Sequence, residues 1–155
     1  MGCFFLKKRF FSMAKKTIRD IDLAGRRILM RCDFNVPLDS CGNITDDTRI
    51  LGAIPSIRHL SEHGARVILC SHLGRPDGEV NPEFSLRPVA VRLGELLAIE
   101  VGFVESCVGD DAISSTNSLQ DGELLLLENV RFHEEETAND PGFASRLANG
   151  AEVFV

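Results

Sequence analysis

The chain contains 155 residues, of which 44% are hydrophobic and 26% charged, enough for one globular domain with a buried core. The formal net charge is −6, but residues 1–19 carry six basic and no acidic side chains, so the other 136 residues hold 11 basic and 23 acidic groups, a net charge of −12. No apolar run approaches the ~18 residues of a membrane span, and the acidic body argues against a nucleic-acid-binding surface.

Residues 1–13 form a basic, aromatic leader that we expect to be disordered. Its apolar pieces are too short for a typical secretory signal, and Leu6 stands where a myristoylation motif requires Ser or Thr. Targeting to an organelle by residues 1–12 is an alternative interpretation. We favour a leader upstream of an older start at Met13.

From residue 26 onward, predicted strands alternate with predicted helices, since short continuous apolar runs alternate with segments of helical spacing. In chain order they are strand 26–32, helix 46–64, strand 65–71, helix 85–98, strand 100–104, helix 109–119, strand 122–130, helix 140–150 and strand 151–155. Asp46 or Asp47 can cap the first helix and Gly64 can end it, whereas Pro55 inside it predicts a kink or a break.

This alternation predicts the α/β class: a doubly wound, Rossmann-like parallel sheet with helices on both faces. The final predicted strand has no covering helix after it, so we expect the sheet to be incomplete at its C-terminal end.

Composition disfavours two common kinds of site. No lysine follows Lys16 and no G-x-G-x-x-G run is present, which argues against a familiar nucleotide-binding loop. The five cysteines are scattered without a C-x-x-C pair, typical of a reduced, intracellular protein, with Cys32 and Cys70 filling the core. His59 and His63 could bind a metal ion, but we interpret them as an exposed helix end and predict no metal site.

Polar and cationic side chains follow the predicted strands, at the edge where open parallel sheets bind ligands. They are Asp33, Asn35, His72, Arg75, Arg131 and His133, with Arg49 in the first turn of the first helix. Several cations facing one cleft repel each other unless an anion lies between them, and an acid and an amide suit a hydroxyl and a carboxylate. The pattern predicts a small, multiply anionic ligand such as a phosphorylated hydroxy acid, and therefore phosphoryl transfer.

Five of these residues also have a purely structural interpretation. Asp33 and Asn35 could cap a turn before Pro37, and His72 could be a satisfied loop residue. The candidate ion pairs are Arg75 with Asp77 or Glu79, and Arg131 with Glu134 or Glu135; the run Glu134–Glu136 is interpreted as a solvated helix start. The same chemistry at three separate strand ends favours the binding site.

Four blocks closely resemble phosphoglycerate kinase, in the order and spacing of that family, from about Ala14 to Val155. They are RCDFNVPLD, GNITDDTRI, SHLGRPDG and LLLLENVRFHEEE. The resemblance implies two doubly wound domains joined by a hinge. Residues 14–155 would be part of the amino-terminal domain, which binds 3-phosphoglycerate or 1,3-bisphosphoglycerate. Mg-ADP or Mg-ATP would bind a carboxy-terminal domain outside this sequence, so no cofactor is expected on this chain.

The resemblance also implies a role for each site residue. Asp33 and Asn35 would hold the hydroxyl and carboxyl end of the glycerate, and Arg49 would face the transferring phosphoryl group as the catalytic residue. The 3-phosphate would be clamped by His72, Arg75 and Arg131. Main-chain groups would line the same pocket at Cys32, Phe34, Ser71, Gly74 and Val130. Cys32 stands where the family more often has Val, and a further arginine of the family's basic patch lies beyond Val155.

Two hypotheses follow. The first is a glycolytic phosphoglycerate kinase whose activity belongs to a longer form, the 155 residues being inactive alone. The second is a non-catalytic product that at most binds anionic metabolites. For the first we expect a cytoplasmic monomer whose partner is its small-molecule substrate.

Overall fold

The computed structural model describes residues 16–155, and the predicted leader lies outside them. The described residues form one sheet with all strands parallel, in the spatial order β3-β4-β2-β1-β5. The strands are β1 Arg27–Arg31, β2 Arg66–Cys70, β3 Val101–Val104, β4 Leu124–Leu127 and β5 Val153–Phe154. The helices are α1 Thr48–Glu62, α2 Arg87–Leu97, α3 Asp110–Ser118, α4 Glu134–Thr137 and α5 Pro141–Leu147.

Helices cover both faces of the sheet because successive strand side chains point to opposite sides. In β2, Val67 and Leu69 belong to one buried apolar cluster, whereas Ile68 and Cys70 belong to another. The first cluster contains the buried apolar side chains of α1 and α2, and the second contains those of α3 and α5. The predicted doubly wound α/β fold is confirmed. No helix among residues 16–155 is both long and apolar enough to cross a membrane.

All nine predicted elements are present within their predicted ranges. Two short 3₁₀ turns, Pro82–Phe84 and Val130–Phe132, had no counterpart in the predictions. The predicted break at Pro55 is wrong, because α1 continues through this residue. Apolar residues on both sides of the proline, Ile50 and Ile57, are fully buried against the sheet, and this packing holds the helix together.

The start of α1 shows how its two candidate caps are used. Asp46 Oδ1 accepts hydrogen bonds from the backbone N–H of Thr48 (2.8 Å) and from its hydroxyl (2.6 Å). The carboxylate of Asp47 instead pairs with Arg92 of α2 at 2.7 Å. Asp46 therefore stabilises the helix start, while Asp47 fastens α1 to α2.

The strand order determines where the site residues lie. β4, β2 and β1 are consecutive neighbours in the sheet and run in the same direction. The loops that follow them carry the predicted site residues, and these loops therefore begin side by side at one edge.

Candidate anion-binding site

Asn129 connects the loops that follow β2 and β4. Its side chain is fully buried and uses four hydrogen bonds. Oδ1 accepts from the backbone N–H of Leu73 (3.3 Å) and of Arg131 (3.0 Å), while Nδ2 donates to the carbonyls of Leu73 (2.7 Å) and Phe84 (2.9 Å). One side chain thus holds the backbone that carries Arg131 against the loop that carries His72 and Arg75.

The neighbouring Glu128 fixes the start of α2. Its buried carboxylate accepts hydrogen bonds from the hydroxyl of Ser85 (2.7 Å) and the N–H of Leu86 (2.8 Å). It also accepts from the backbone N–H of Asn129 (2.8 Å). A buried carboxylate is stable only when such donors surround it. Neither Glu128 nor Asn129 was identified from the sequence, although two polar residues directly after a buried apolar strand are a usable signal.

The loops after β1 and β2 are joined in a similar way. Asn35 Oδ1 accepts from the backbone N–H of Gly74 (2.9 Å), and Ser71 Oγ accepts from the backbone N–H of Phe34 (2.9 Å). Gly74 has a φ of +62°, and the ring of Phe84 occupies the space that a Cβ there would need. Glycine is therefore required at this position by the turn and by the phenylalanine packed on it.

Of the five residues whose main-chain groups are predicted to line the pocket, four have their N–H groups bonded within the protein. The N–H of Cys32 donates to the carbonyl of Cys70 (2.9 Å), and that of Val130 donates to the carbonyl of Ser71 (3.2 Å). Together with the N–H groups of Phe34 and Gly74, these donors hold the three loops together. Their contribution to ligand binding stays a prediction.

Arg131 is held by groups on two sides. Its Nη1 donates to the carbonyl of Gly74 (3.2 Å), and its Nε lies 3.5 Å from Glu136 Oε2 without a hydrogen bond. The other oxygen of Glu136 accepts from Arg31 Nη2 at 2.7 Å. The predicted pairing of Arg131 with Glu134 or Glu135 is wrong, because the start of α4 directs Glu136 towards Arg131 instead.

The interpretation of Glu136 as solvated is also wrong, since its side chain is only 10% exposed. Burial acts to raise its pKa, but the hydrogen bond from Arg31 and the charges of Arg31, Arg131 and His72 together lower it. Arg31 was missed as well, although it is the last residue of β1 and lies at the same sheet edge as the other site residues.

Arg75 and Arg131 line one cleft of about 620 Å³. The rest of its lining is Asp77 and Gly78, from the loop that carries Arg75, and Glu134, Thr137 and Ala138, in and just after α4. Arg75 is exposed, and among residues 16–155 no ion pair or hydrogen bond holds its guanidinium, so neither Asp77 nor Glu79 is its partner. Two arginines from loops after neighbouring strands thus face one opening. Gly74 and Glu136 contact the guanidinium of Arg131, whereas that of Arg75 has no such contact among residues 16–155.

Asp33 and Arg49 form an exposed ion pair between the loop after β1 and the first turn of α1. The hydrogen bond from Arg49 lowers the pKa of Asp33; burial opposes this, and the backbone N–H of Asn35, which donates to Oδ1 at 3.2 Å, supports it. The interpretation of Asp33 as a turn-capping residue is therefore correct for its hydrogen bond with the N–H of Asn35. The same carboxylate also orients Arg49. Neither residue lines the cleft that contains Arg75 and Arg131.

The pKa of His72 responds to charges from both parts of the site: Arg131, which lines the cleft with Arg75, and Asp33, which pairs with Arg49. Burial and the charge of Arg131 lower this pKa below the ordinary 6.5, and the charge of Arg31 has a smaller effect in the same direction. The carboxylates of Asp33 and Glu136 oppose this shift. His72 is therefore mostly neutral at pH 7 in the ligand-free protein, and a bound anion would favour its protonated form.

We expect the stability of the chain to fall as the pH is lowered from about 7.5 to about 5.5. Because the folded-state pKa of His72 lies below 6.5, the unfolded chain binds the proton first. The stabilising contribution is complete above 6.5 and is lost as the pH falls towards the lowered pKa. Urea unfolding at the two pH values measures this, and His72→Gln should reduce the difference. An unchanged difference in the variant would show that other groups cause it.

A larger cleft, of about 840 Å³, lies between the start of α1 and α2. Its cation, Arg92, already pairs with Asp47 and Glu95, each at 2.7 Å. Arg92 is thus neutralised within the protein, whereas the guanidinium of Arg75 has no partner in the part of the chain that the structure describes.

A family model described as phosphoglycerate kinase matches residues 18–155. The chain belongs to the phosphoglycerate kinase family. Its sequence is 57% identical over 143 residues to the phosphoglycerate kinase of Chlorobium luteolum and 58% identical over the same length to that of Chlorobium chlorochromatii. Each alignment covers 92% of this chain and 36% of the relative, so the chain spans about a third of the length of the curated kinases that it matches.

Solved structures agree with this assignment. The phosphoglycerate kinase of Coxiella burnetii matches 88% of this chain with a TM-score of 0.78 and 37% identity. The enzyme of Pyrococcus horikoshii OT3 matches the same share with a TM-score of 0.79 and 28% identity. The alignments cover 33% and 35% of those chains, so the shared fold is the doubly wound unit described above.

Proposed function

We propose that this chain supplies the 3-phosphoglycerate-binding part of a phosphoglycerate kinase, which transfers a phosphoryl group between 1,3-bisphosphoglycerate and ADP to give 3-phosphoglycerate and ATP. One observation carries the proposal. Arg75 and Arg131 come from loops after the neighbouring strands β2 and β4, and they line the same cleft. Two guanidinium groups facing one opening suit a phosphate, because each can donate several charge-assisted hydrogen bonds.

The remaining site residues have roles that follow from their positions. Arg49 lies at the start of α1, exposed and oriented by Asp33, where it would stabilise charge on the transferring phosphoryl group. Asn35 has its amide oxygen engaged by Gly74, which leaves its Nδ2 donor for the glycerate. The charge of His72 would respond to the bound phosphate.

The sequence contains no familiar nucleotide-binding loop for the nucleotide that the family uses. No lysine follows Lys16 in the sequence, and residues 16–155 contain no group of three or more His, Cys, Asp or Glu side chains that could hold a metal ion. We propose that Mg-ADP or Mg-ATP is bound by the part of the family's sequence that these 155 residues do not include. The 155 residues alone would then be inactive as a kinase.

The second candidate function is a non-catalytic protein that binds anionic metabolites, and the observation that favours it is that the cleft of Arg75 and Arg131 lies wholly within the described residues. Both candidates share the anion site. For the kinase we propose a cytoplasmic monomer whose partner is the phosphoglycerate substrate and neither nucleic acid nor membrane.

Arg75→Ala is expected to weaken binding of 3-phosphoglycerate by about tenfold or more, the effect of losing one charge-assisted contact to a phosphate. Because the exposed side chain of Arg75 has no ion pair or hydrogen bond among residues 16–155, the variant should keep the stability of the parent chain. Titration of the 155-residue chain at low salt, by calorimetry or NMR, measures the affinity.

The matched control is Arg26→Ala, which removes the same charge just before β1, at the opposite edge of the sheet. Its affinity for 3-phosphoglycerate should differ from that of the parent by less than about twofold, the effect expected of a distant screened charge. If both variants weaken binding equally, Arg75 acts only through the overall charge of the protein. The cleft would then not be the binding site for 3-phosphoglycerate.

A further inference from the structure

We propose that Glu136 is a resident counter-ion of the anion site: in the ligand-free protein its carboxylate neutralises Arg31 and Arg131, and an incoming phosphate competes with it for Arg131. The nature of the physiological anion rests on the proposed function, whereas the competition itself rests only on the contacts of Glu136.

Glu136 is the least exposed member of this group. Its side chain is 10% exposed, compared with 44% for Arg31 and 29% for Arg131. Each carboxylate oxygen faces a different arginine, with Oε1 at 2.7 Å from Arg31 Nη2 and Oε2 at 3.5 Å from Arg131 Nε. Only the pair with Arg31 is a hydrogen bond. Glu136 is thus bound firmly to Arg31 and loosely to Arg131, so Arg131 is the partner that a phosphate can recruit.

Removing the charge of Glu136 could weaken or strengthen phosphate binding. The outcome depends on whether Glu136 mainly positions Arg131 or mainly neutralises it. Arg131 keeps a second anchor, because its Nη1 donates to the carbonyl of Gly74 at 3.2 Å. Its backbone is held independently by Asn129. Removing the charge of Glu136 therefore changes the electrostatic potential in the cleft more than it changes the position of the guanidinium.

Glu136→Gln is the variant that tests the competition, since glutamine keeps an oxygen that can accept from Arg31 but carries no charge. We expect the 155-residue chain with E136Q to bind inorganic phosphate about 3- to 10-fold more tightly at low salt. Phosphate should also raise its melting temperature more than it raises that of the parent, and the affinity should fall more steeply with salt.

Glu135→Gln is the matched control. Glu135 is the preceding residue of α4, but it pairs with Arg146 of α5 at 3.5 Å and belongs to no contact with Arg31 or Arg131. It should leave the phosphate affinity unchanged. Should E136Q bind phosphate no more tightly than E135Q, or more weakly than the parent, Glu136 does not compete with the anion and the proposal is overturned.

A second measurement tests the electrostatic connection without any ligand. The charged groups that face His72 are Arg131, Asp33, Glu136 and Arg31. E136Q removes one of the two carboxylates that raise the pKa of His72, so NMR titration should find a lower pKa for His72 in E136Q than in E135Q. A residue with a purely structural role would leave this pKa unchanged, and equal pKa values in the two variants would contradict the counter-ion role.

If E136Q fails to fold, a second variant still tests the proposal. Glu136→Asp keeps the charge but withdraws it by one methylene, which lengthens the already loose contact with Arg131. E136D should therefore fold and bind phosphate more tightly than E135Q, by a smaller factor than expected for E136Q. Phosphate affinity equal to that of E135Q would overturn the proposal.

The outcomes separate this inference from the proposed function. If inorganic phosphate responds to E136Q as expected but 3-phosphoglycerate binds no better than phosphate, the counter-ion is correct and the proposed substrate is wrong. If 3-phosphoglycerate binds and Arg75→Ala weakens it, while E136Q and E135Q behave alike, the proposed function stands and the counter-ion role fails.

Discussion

Replacing Arg49 by alanine is expected to lower kcat by about 10²- to 10³-fold, with a much smaller change in KM for the phosphoglycerate substrate. Arg49 is exposed at the start of α1, outside the cleft of Arg75 and Arg131, and Asp33 orients it. A cation placed there can act on a phosphoryl group in transfer without contributing to the binding of the other phosphate. This separation is why the effect should appear in kcat.

The measurement needs a chain with a nucleotide-binding part. Residues 18–155 can replace the matching segment of the Chlorobium luteolum kinase, to which this chain is 57% identical. Steady-state kinetics of this chimaera then compare Arg49→Ala with Arg58→Ala, whose side chain lies further along α1 and pairs with Glu62 at 3.9 Å. Arg58→Ala should retain nearly full activity.

Two results would count against the proposal. A kcat that is unchanged by Arg49→Ala would remove Arg49 from the catalytic step. A folded but inactive parent chimaera would favour the non-catalytic alternative, because the partner domain would then be present and the residues of this chain would be failing to support the reaction.

Replacing Asn129 by leucine is expected to destabilise the chain by about 3–5 kcal/mol, enough to abolish cooperative unfolding in a marginally stable domain. Leucine has a similar size, so the cost comes from hydrogen bonds and not from a cavity. The substitution leaves four backbone groups without a partner: the N–H and carbonyl of Leu73, the carbonyl of Phe84 and the N–H of Arg131. Each such buried group costs about 1–3 kcal/mol, and the costs are not additive.

Urea unfolding followed by circular dichroism measures this loss, with Asn149→Leu as the control. Asn149 is exposed after α5, and its side chain makes none of the hydrogen bonds found among residues 16–155. Its substitution should change the free energy of unfolding by less than about 0.5 kcal/mol, as for most surface positions. A change below about 1 kcal/mol for Asn129→Leu would mean that Asn129 does not hold the loops together.

The sequence predicted the positions of the site residues better than their contacts. The rule that parallel sheets bind ligands at the carboxyl ends of their strands was sufficient to select Asp33, His72, Arg75 and Arg131, because it depends only on strand direction. The same rule applied to the last residue of β1 would have selected Arg31. The contacts of Arg131 could not be predicted, since three consecutive glutamates compete for it and only the geometry of α4 decides among them.

At Gly74, too, the sequence predicts the local conformation but not the neighbour that packs against it. The sequence indicates a turn at SHLGRP, and the positive φ of Gly74 agrees with it. The ring packed against this glycine belongs to Phe84, ten residues further along the chain. Nothing in the local sequence indicates this neighbour, because it arrives through the 3₁₀ turn Pro82–Phe84 and the hydrogen bond from Asn129.

By itself, the sequence determined the doubly wound α/β fold, its element order and the family, because apolar periodicity and motif spacing are local properties of the chain. Only the tertiary structure decided that Glu136 is shared between Arg31 and Arg131, and that the N–H groups of Phe34 and Gly74 are already engaged. It also decided that Arg75 pairs with none of the acidic groups among residues 16–155. The physical reason is that ion pairs and side-chain hydrogen bonds depend on distances of a few ångströms between residues that are far apart in the chain. Those distances are set by how β1, β2 and β4 lie next to one another.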